Sequence, residues 1–275
     1  MKIVLTIGGA DCSSRSGIQA DLKTFLVNGV WGISVITAIA AHGERGTRKI
    51  LNLPSENIAV QLEKALEVTP PDAVKIGMLP DAETAHMVAE KLKAAGVKNI
   101  VANPRVVNSE GEKMIPRDAY DVIVNEVLPV ADIITPDITE LEHLTDMQIG
   151  HKEDLITAAK IASNKFDSII ATKAGRIVGD AADLYFREGY YKWFPGMIIP
   201  NANIHDAGNA MTACVAANLA KGYEPDKAYK AAKDCVTEML LNMKEVGNSS
   251  ATLAPSAVVK GEFMGVLSDE ELSRM

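Results

Sequence analysis

Cysteine, long apolar runs and clustered positive charge are all scarce in this chain, and each shortage removes a class of protein. Three cysteines in 275 residues, Cys12, Cys214 and Cys235, are odd in number and far apart, with none of the short spacings of a zinc site or a disulfide framework. A reducing, cytoplasmic setting is expected. No apolar run approaches the roughly 20 residues that cross a bilayer, and residues 1–7 read as a first strand, because a few apolar residues give way at once to a polar, glycine-bearing loop. No membrane partner is expected. Lys and Arg total 28 against 36 Asp and Glu, for a net charge of -8, and the cations are scattered rather than gathered on one stripe, which argues against nucleic acid. Repeats, low-complexity tracts and composition breaks are missing too, so one domain over residues 1–275 is expected. Two nucleotide-binding devices are also absent: there is no G-x-x-x-x-G-K-[ST] and no G-x-G-x-x-G after a strand.

What is present is an alternation of short β-rich runs and amphipathic helical spacing. "KIVLTI" ends at Gly8-Gly9, "GIQADLKTFLVNG" has the helical spacing Ile18, Leu22, Phe25, and "GISVITAIAA" is apolar on both parities, as a strand buried on two faces should be. "RKILNL" reads as an edge strand. "PSENIAVQLEKALEV" and "DAETAHMVAEKLKAAG" read as helices, the second with Asp81 as N-cap and Gly96 as its stop. "DAVKIGML", "KNIVAN", "ADIITP" and "DSIIATKAG" supply further strands, with helices "DAYDVIVNEVLPV" and "KEDLITAAKIASNKF" between them. "DLYFREGYYKWF" predicts an antiparallel hairpin turning at Glu188-Gly189, with Tyr190, Tyr191 and Trp193 packing on it, and two helices follow. The expected fold class is therefore α/β, a mostly parallel sheet with helices on both faces and a small antiparallel hairpin.

In such a sheet ligands sit beyond the carboxyl ends of the strands. The loops to watch are "GGADCSSRSG", "AHGERG", "KIGMLPD", "NPRVVNSEG", "TPDITE", "TKAGR" and "IHDAGNA". In the last, Gly208 precedes the alanine-rich run "NAMTACVAANLAKG", whose free first-turn N–H groups would suit a phosphate. The same residues, Asp206 or Asn209, would also serve as an ordinary N-cap. Cys214 falls at an apolar helix position and reads as core.

Taken in order, "GADCSSRSGIQADLKTF", "SVITAIAA", "VKIGMLPD", "ANPRVVNSEG", "ITPDITELEHL", "TKAG" and "HDAGNAMTACVAANLAKG" resemble the signature segments of the hydroxymethylpyrimidine/phosphomethylpyrimidine kinases of thiamine biosynthesis and the related pyridoxal kinases, both of the ribokinase superfamily. The likeness covers essentially the whole chain, and "SGIQADLKTF" with "KIGML" is specific to this branch. It implies a ribokinase-like three-layer α/β/α fold, ATP and Mg2+ as cofactors, a small heterocycle as substrate, and a homodimer. The implied reaction is phosphoryl transfer to the hydroxymethyl group of 4-amino-5-hydroxymethyl-2-methylpyrimidine, and in many members then to its monophosphate. Carried onto this chain, the catalytic turn is Asp206-Ala207-Gly208-Asn209, with Asn209 at the base position. Gly9, Asp11, Arg15, Asp21, His42, Met78 and Val107 fall on the substrate side. Thr172, Lys173, Gly175 and Arg105 fall on the nucleotide side, and Asn103, Asp137 and Glu140 at the metal.

The chain departs from the pattern where the chemistry is done. Asn209 stands where the family has cysteine or aspartate, and a neutral amide takes no proton from a hydroxyl. Asp206 stands where a glycine belongs, beside the phosphate turn. D-P-V-M has become Asn103-Pro104-Arg105-Val106, N-x-x-E has become Asp137-Ile138-Thr139-Glu140, and K-G-G has become Lys173-Ala174-Gly175. The first loop, commonly D-P-S-G-G-A-G, is Asp11-Cys12-Ser13-Ser14-Arg15-Ser16-Gly17 and should be stiffer for its lost glycines. Two functions remain open on the sequence. One is an active kinase, of pyrimidine or pyridoxal type, in which Asp206 or a water replaces the base. The other is a binding protein on a kinase scaffold.

Overall fold

The computed structural model describes residues 1–43, 46–103, 105–107, 115–173, 181–199, 204–246 and 249–259, with backbone alone at 42–43, 46–48, 204–206 and 249–251. The chain opens with β1 (Ile3–Asp11), α1 (Gly17–Val27), β2 (Trp31–Gly43), β3 (Gly46–Asn52), α2 (Ser55–Val68), β4 (Ala73–Ile76), α3 (Ala82–Ala94) and β5 (Ile100–Ala102). It continues through α4 (Arg117–Val122), β6 (Ile133–Ile134), α5 (Ile138–Thr145), α6 (Lys152–Phe166), β7 (Ile169–Lys173), β8 (Asp183–Arg187), β9 (Tyr190–Phe194), α7 (Ile204–Ala220) and α8 (Pro225–Leu241). A small separate ribbon, β10 (Lys244–Val246) with β11 (Ser249–Thr252), follows.

The main sheet runs β3-β2-β1-β4-β5-β6-β7-β8-β9. Its middle, from β2 to β7, is parallel. β3 at one edge and β8 and β9 at the other are antiparallel to their neighbours. Strand residues alternate between two apolar layers: Leu5, Ile7, Val74, Ile76, Ile134 and Ile170 face α2, α3, α5 and α6, while Val4, Ala73, Val101, Ile133 and Ala171 face α1, α7 and α8. This period of two explains why the central strands are apolar on both parities. On the second face the buried polar positions include Thr6 of β1, Lys75 of β4 and Asp183 of β8.

Local signals behave as expected at several ends. Asp81 caps α3, its carboxylate accepting from the Thr84 N–H at 2.8 Å. Gly96 follows that helix with φ +62, and the β8–β9 turn places Glu188 at φ +48 and Gly189 at φ +82, the left-handed pair that a tight hairpin needs.

Four expectations are corrected. "TPDITE" is not an open loop but the start of α5, where Asp137 and Glu140 form a reciprocal capping box. In "AHGERG" the strand runs further than expected: β2 continues through His42 to Gly43 and pairs with β3 from Gly46, His42 opposite Thr47, with residues 44–45 outside the described residues. The helix over "DAYDVIVNEVLPV" is α-helical only to Val122, then widens to a π turn over Ile123–Val127 and tightens over Leu128–Val130, where Pro129 sits. Most consequential, α7 begins at Ile204, so Gly208 and Asn209 lie in its second turn rather than ahead of it. The amides left open by that start belong to the residues before them.

Gly17 is a position where only glycine fits, because φ is +63 and a Cβ would run into the Gly9 carbonyl oxygen. Gly17→Ala is expected to cost about 2–3 kcal/mol, the usual scale of left-handed strain plus a backbone clash, measured as a lowered urea midpoint at unchanged slope.

Candidate active site

The loops that matter gather at the carboxyl ends of β1, β4, β5, β6 and β7. On the β1 side, Asp11 organises its own loop: its carboxylate accepts from the Ser13 N–H (2.8 Å) and Oγ (2.8 Å) and from the Ser16 N–H (3.0 Å) and Oγ (2.8 Å). The Gln19 side-chain oxygen accepts from the Asp11 N–H at 2.8 Å. Burial pushes the Asp11 carboxyl up, but the hydrogen bonds from Ser16 and Ser13 outweigh it and hold the group below the usual carboxylate range. Ser13 and Ser16, at the serine and alanine positions of the D-P-S-G-G-A-G pattern, thus tie the loop to Asp11. Nearby, a Cβ on Gly9 would stand 3.4 Å from Met78 Sδ, and the Met78 carbonyl accepts from Thr37 Oγ1 at 2.7 Å. Gly9 and Met78 thus lie side by side, whereas Val107 packs into the core with Val106. The side chain of His42 lies outside the described residues.

Asn209 projects from α7 onto a buried ion pair. Lys75 Nζ stands 2.7 Å from Asp21 Oδ2 and donates at 2.9 Å to Asn209 Oδ1. The Asn209 amide nitrogen donates to Asp21 Oδ1 at 2.7 Å and, more weakly, to the Gly17 carbonyl at 3.4 Å. Thr6 Oγ1 completes the carboxylate's shell at 2.6 Å. Asp21 and Thr6 are 0% exposed and Lys75 3%. The amide's orientation follows from charge, with oxygen toward the ammonium and nitrogen toward the carboxylate. Sequence reasoning found Asp21 and Asn209 but missed Lys75 and Thr6. The signal was there: a lysine inside "AVKI", a strand apolar on both sides, needs a buried partner, and Asp21 lies on the same helix face as Ile18 and Phe25.

On the β7 side, Lys173 reaches the phosphate turn. A Cβ built on Gly208 would stand 2.7 Å from Lys173 Nζ, so glycine leaves the space that the ammonium fills. Thr172 Oγ1 and Asn103 Oδ1 are buried and, among the described residues, find no hydrogen-bond partner. Asn103 and Glu140 line one small cavity with Val106, Pro136 and Leu144. Glu140 Oε2 accepts from the Asp137 N–H at 3.0 Å, and Asp137 Oδ1 from the Glu140 N–H at 2.8 Å. Burial, then the Asp137 charge, pushes the Glu140 carboxyl up to about 7, against the opposing pull of Lys173 and Arg105. Arg105 holds φ +50, in the left-handed region. No cluster of three or more His, Cys, Asp or Glu occurs among the described residues. An orphaned amide oxygen beside a carboxylate still suits a hard cation that keeps most of its waters. Gly175 and the side chain of Asp206 lie outside the described residues; Ala207 is buried in α7.

Lys173, the second turn of α7 and the cavity of Asn103 and Glu140 belong to an α/β protein with a parallel sheet, a class that holds small-molecule ligands past the carboxyl ends of its strands. The family model for phosphomethylpyrimidine kinase matches residues 11–254. The hydroxymethylpyrimidine/phosphomethylpyrimidine kinase of Streptomyces coelicolor is 34% identical over 235 residues, 86% of this chain and 87% of that protein. A phosphomethylpyrimidine kinase crystal structure from Clostridium difficile 630 is 32% identical with TM-score 0.79, over 86% of this chain and 99% of its own. A Bacillus subtilis pyridoxal kinase in complex with ADP is 28% identical with TM-score 0.88, over 95% of this chain and 100% of its own. The chain belongs to the phosphomethylpyrimidine kinase family, with the three-layer α/β/α fold expected of it. Among the described residues no helix is long and apolar enough to cross a membrane.

Two outcomes test this geometry. Lys75→Met leaves the Asp21 carboxylate buried without its cation and is expected to cost about 3–5 kcal/mol. The double variant Lys75→Met/Asp21→Asn should recover part of that loss, read from denaturant unfolding. Glu140, with a folded pKa near 7 against an ordinary value of 4.5, binds its proton more tightly when folded. Stability in metal-free buffer should therefore fall as pH rises from about 4.5 to 7 and level off above, by about 3 kcal/mol. Glu140→Gln should flatten that slope.

Proposed function

We propose that this chain is an ATP-dependent kinase of the hydroxymethyl-heterocycle type, acting on 4-amino-5-hydroxymethyl-2-methylpyrimidine or its monophosphate in thiamine biosynthesis, with a chemical step slowed by loss of the base. The observation that carries this reading is Lys173 Nζ seated against Gly208, one residue from the base position. An ammonium there neutralises charge on the transferring phosphoryl group, and phosphoryl transfer depends mainly on positioning and charge neutralisation. Glu140 and Asn103 would hold a Mg2+ ion arriving with the nucleotide, Asp137 positioning Glu140 through the capping box. Bound magnesium would draw charge from the phosphate oxygens. Gly9 and Met78 would form one wall of the heterocycle pocket, with the Asp11 loop beside it.

Asn209 supports a slow reaction. Its amide is held by Lys75 and Asp21, and an amide has no basic lone pair to offer. The hydroxyl proton would have to leave to a phosphate oxygen or to water. The same observation favours a second reading, ligand binding without turnover.

ADP release by purified protein with MgATP and, in turn, hydroxymethylpyrimidine, its monophosphate and pyridoxal separates them. The unmodified chain is expected to turn over slowly, and Asp206→Gly/Asn209→Cys to gain about 10²–10⁴ in kcat, the usual scale of general-base catalysis. Absence of turnover in the unmodified chain, with binding intact by calorimetry, would establish the second reading. Equal rates in both proteins would sink the idea that the base is limiting.

A further inference from the structure

Cys214 and Cys235, distant in sequence, meet between α7 and α8. Their sulfurs are 3.5 Å apart, with the Cys214 S–H donating to Cys235 Sγ. Asn28, the residue that ends α1, reaches both: its amide nitrogen is 3.5 Å from Cys214 Sγ and 3.8 Å from Cys235 Sγ. The Asn28 carbonyl in turn accepts from Lys221 Nζ at 3.3 Å, which keeps a cation beside the pair. Three helices therefore contribute to one thiol site, and its members are unequal. Cys235 is half-buried and receives two donors, whereas Cys214 is fully buried. The hydrogen bond from Cys214 lowers the Cys235 thiol, assisted by Asn28 and Lys221 against burial; the same bond, with burial, raises Cys214.

We propose that Cys214 and Cys235 are a reversible dithiol–disulfide site whose co-reactant is a hydroperoxide, with Cys235 as the sulfur that attacks the peroxide and Cys214 as the resolving one. The Cys235 thiolate attacks the distal peroxide oxygen; the O–O bond breaks, the departing alkoxide or hydroxide takes a proton, and Cys235 becomes a sulfenic acid. Cys214 sulfur then attacks Cys235 sulfur, the S–S bond forms, the S–O bond breaks, and the Cys214 proton leaves with the hydroxide as water. The peroxide is reduced by two electrons and the two thiols are oxidised. Closing from 3.5 Å to a bond of about 2.05 Å needs the sulfurs to approach by about 1.5 Å. Thiolate character and access favour Cys235 over its partner for the first step. The site is independent of whether the kinase reaction runs.

The test is differential alkylation and peptide mass mapping of the full chain, unfolded in denaturant after treatment with a few equivalents of hydrogen peroxide. The expected result is a loss of two hydrogens, a peptide joined through 214 and 235, loss of both thiols from alkylation, and their return with dithiothreitol. Cys12→Ser, which removes the exposed thiol and leaves the pair, should behave identically. Cys214→Ser should stop at a sulfenic acid on Cys235 that dimedone traps. If both thiols of the Cys12→Ser protein still alkylate after peroxide, or if oxidation yields only separate sulfinic acids, the proposal fails.

Discussion

Lys75 occupies a strand position whose neighbours are Val74 and Ile76, in the middle of a sheet covered on both sides. An ammonium can stay there because Asp21 stands 2.7 Å away and Asn209 and Thr6 complete the hydrogen bonds around the pair. Removing either charge would strand the other in a medium that solvates it poorly. The pair also sets geometry. Asp21 belongs to α1, Lys75 to β4 and Asn209 to α7, so one ion pair pins two helices of the same layer to the centre of the sheet. The turn that carries Gly208 is thereby placed against Lys173 at the end of β7.

Seen this way, the amide at Asn209 has a structural use that a cysteine would not match. A thiol offers a weak donor and a weak acceptor. The amide instead meets an ammonium with its oxygen and a carboxylate with its nitrogen, closing the network from a third element. Where the resemblance implies a reactive group, the chain carries an amide that stabilises the buried pair. In the first loop Ser13 and Ser16 both donate to Asp11, and Ser16 does so at a position where the resemblance implies an alanine with no hydroxyl to give. Both changes favour order over mobility around the pocket.

The proposed thiol site lies on the same layer, one helix turn and more beyond Asn209 on α7. It joins α7 to α8, so the helix that carries Gly208 and Asn209 meets the Lys75–Asp21 pair at Asn209 and the Cys235 sulfur at Cys214. Spacing in the sequence argued against any cysteine pairing. Helices that run back on one another bring residues together without regard to local spacing, and the antiparallel return of α8 on α7 did so here.

Much of the architecture was legible because it depends on local rules. Period-two apolar strands, the Asp81 cap, the Gly96 stop and the Glu188-Gly189 turn each follow from the conformations those residues allow, and the segment order dictates a parallel sheet with its ligands at the carboxyl ends. The candidate site residues Gly9, Met78, Lys173 and Glu140 were named from their place in that order. What the sequence alone did not determine depends on who faces whom. The start of α7 at Ile204 and the continuation of β2 to Gly43 depend on pairing and packing beyond the local pattern. The partnership of Asp21, Lys75 and Asn209, like that of Cys214 and Cys235, joins positions that are remote along the chain and adjacent only after the layers pack. Burial makes such pairs decisive, because a charge or a thiol inside the protein must find its partner there, and only the tertiary structure supplies it.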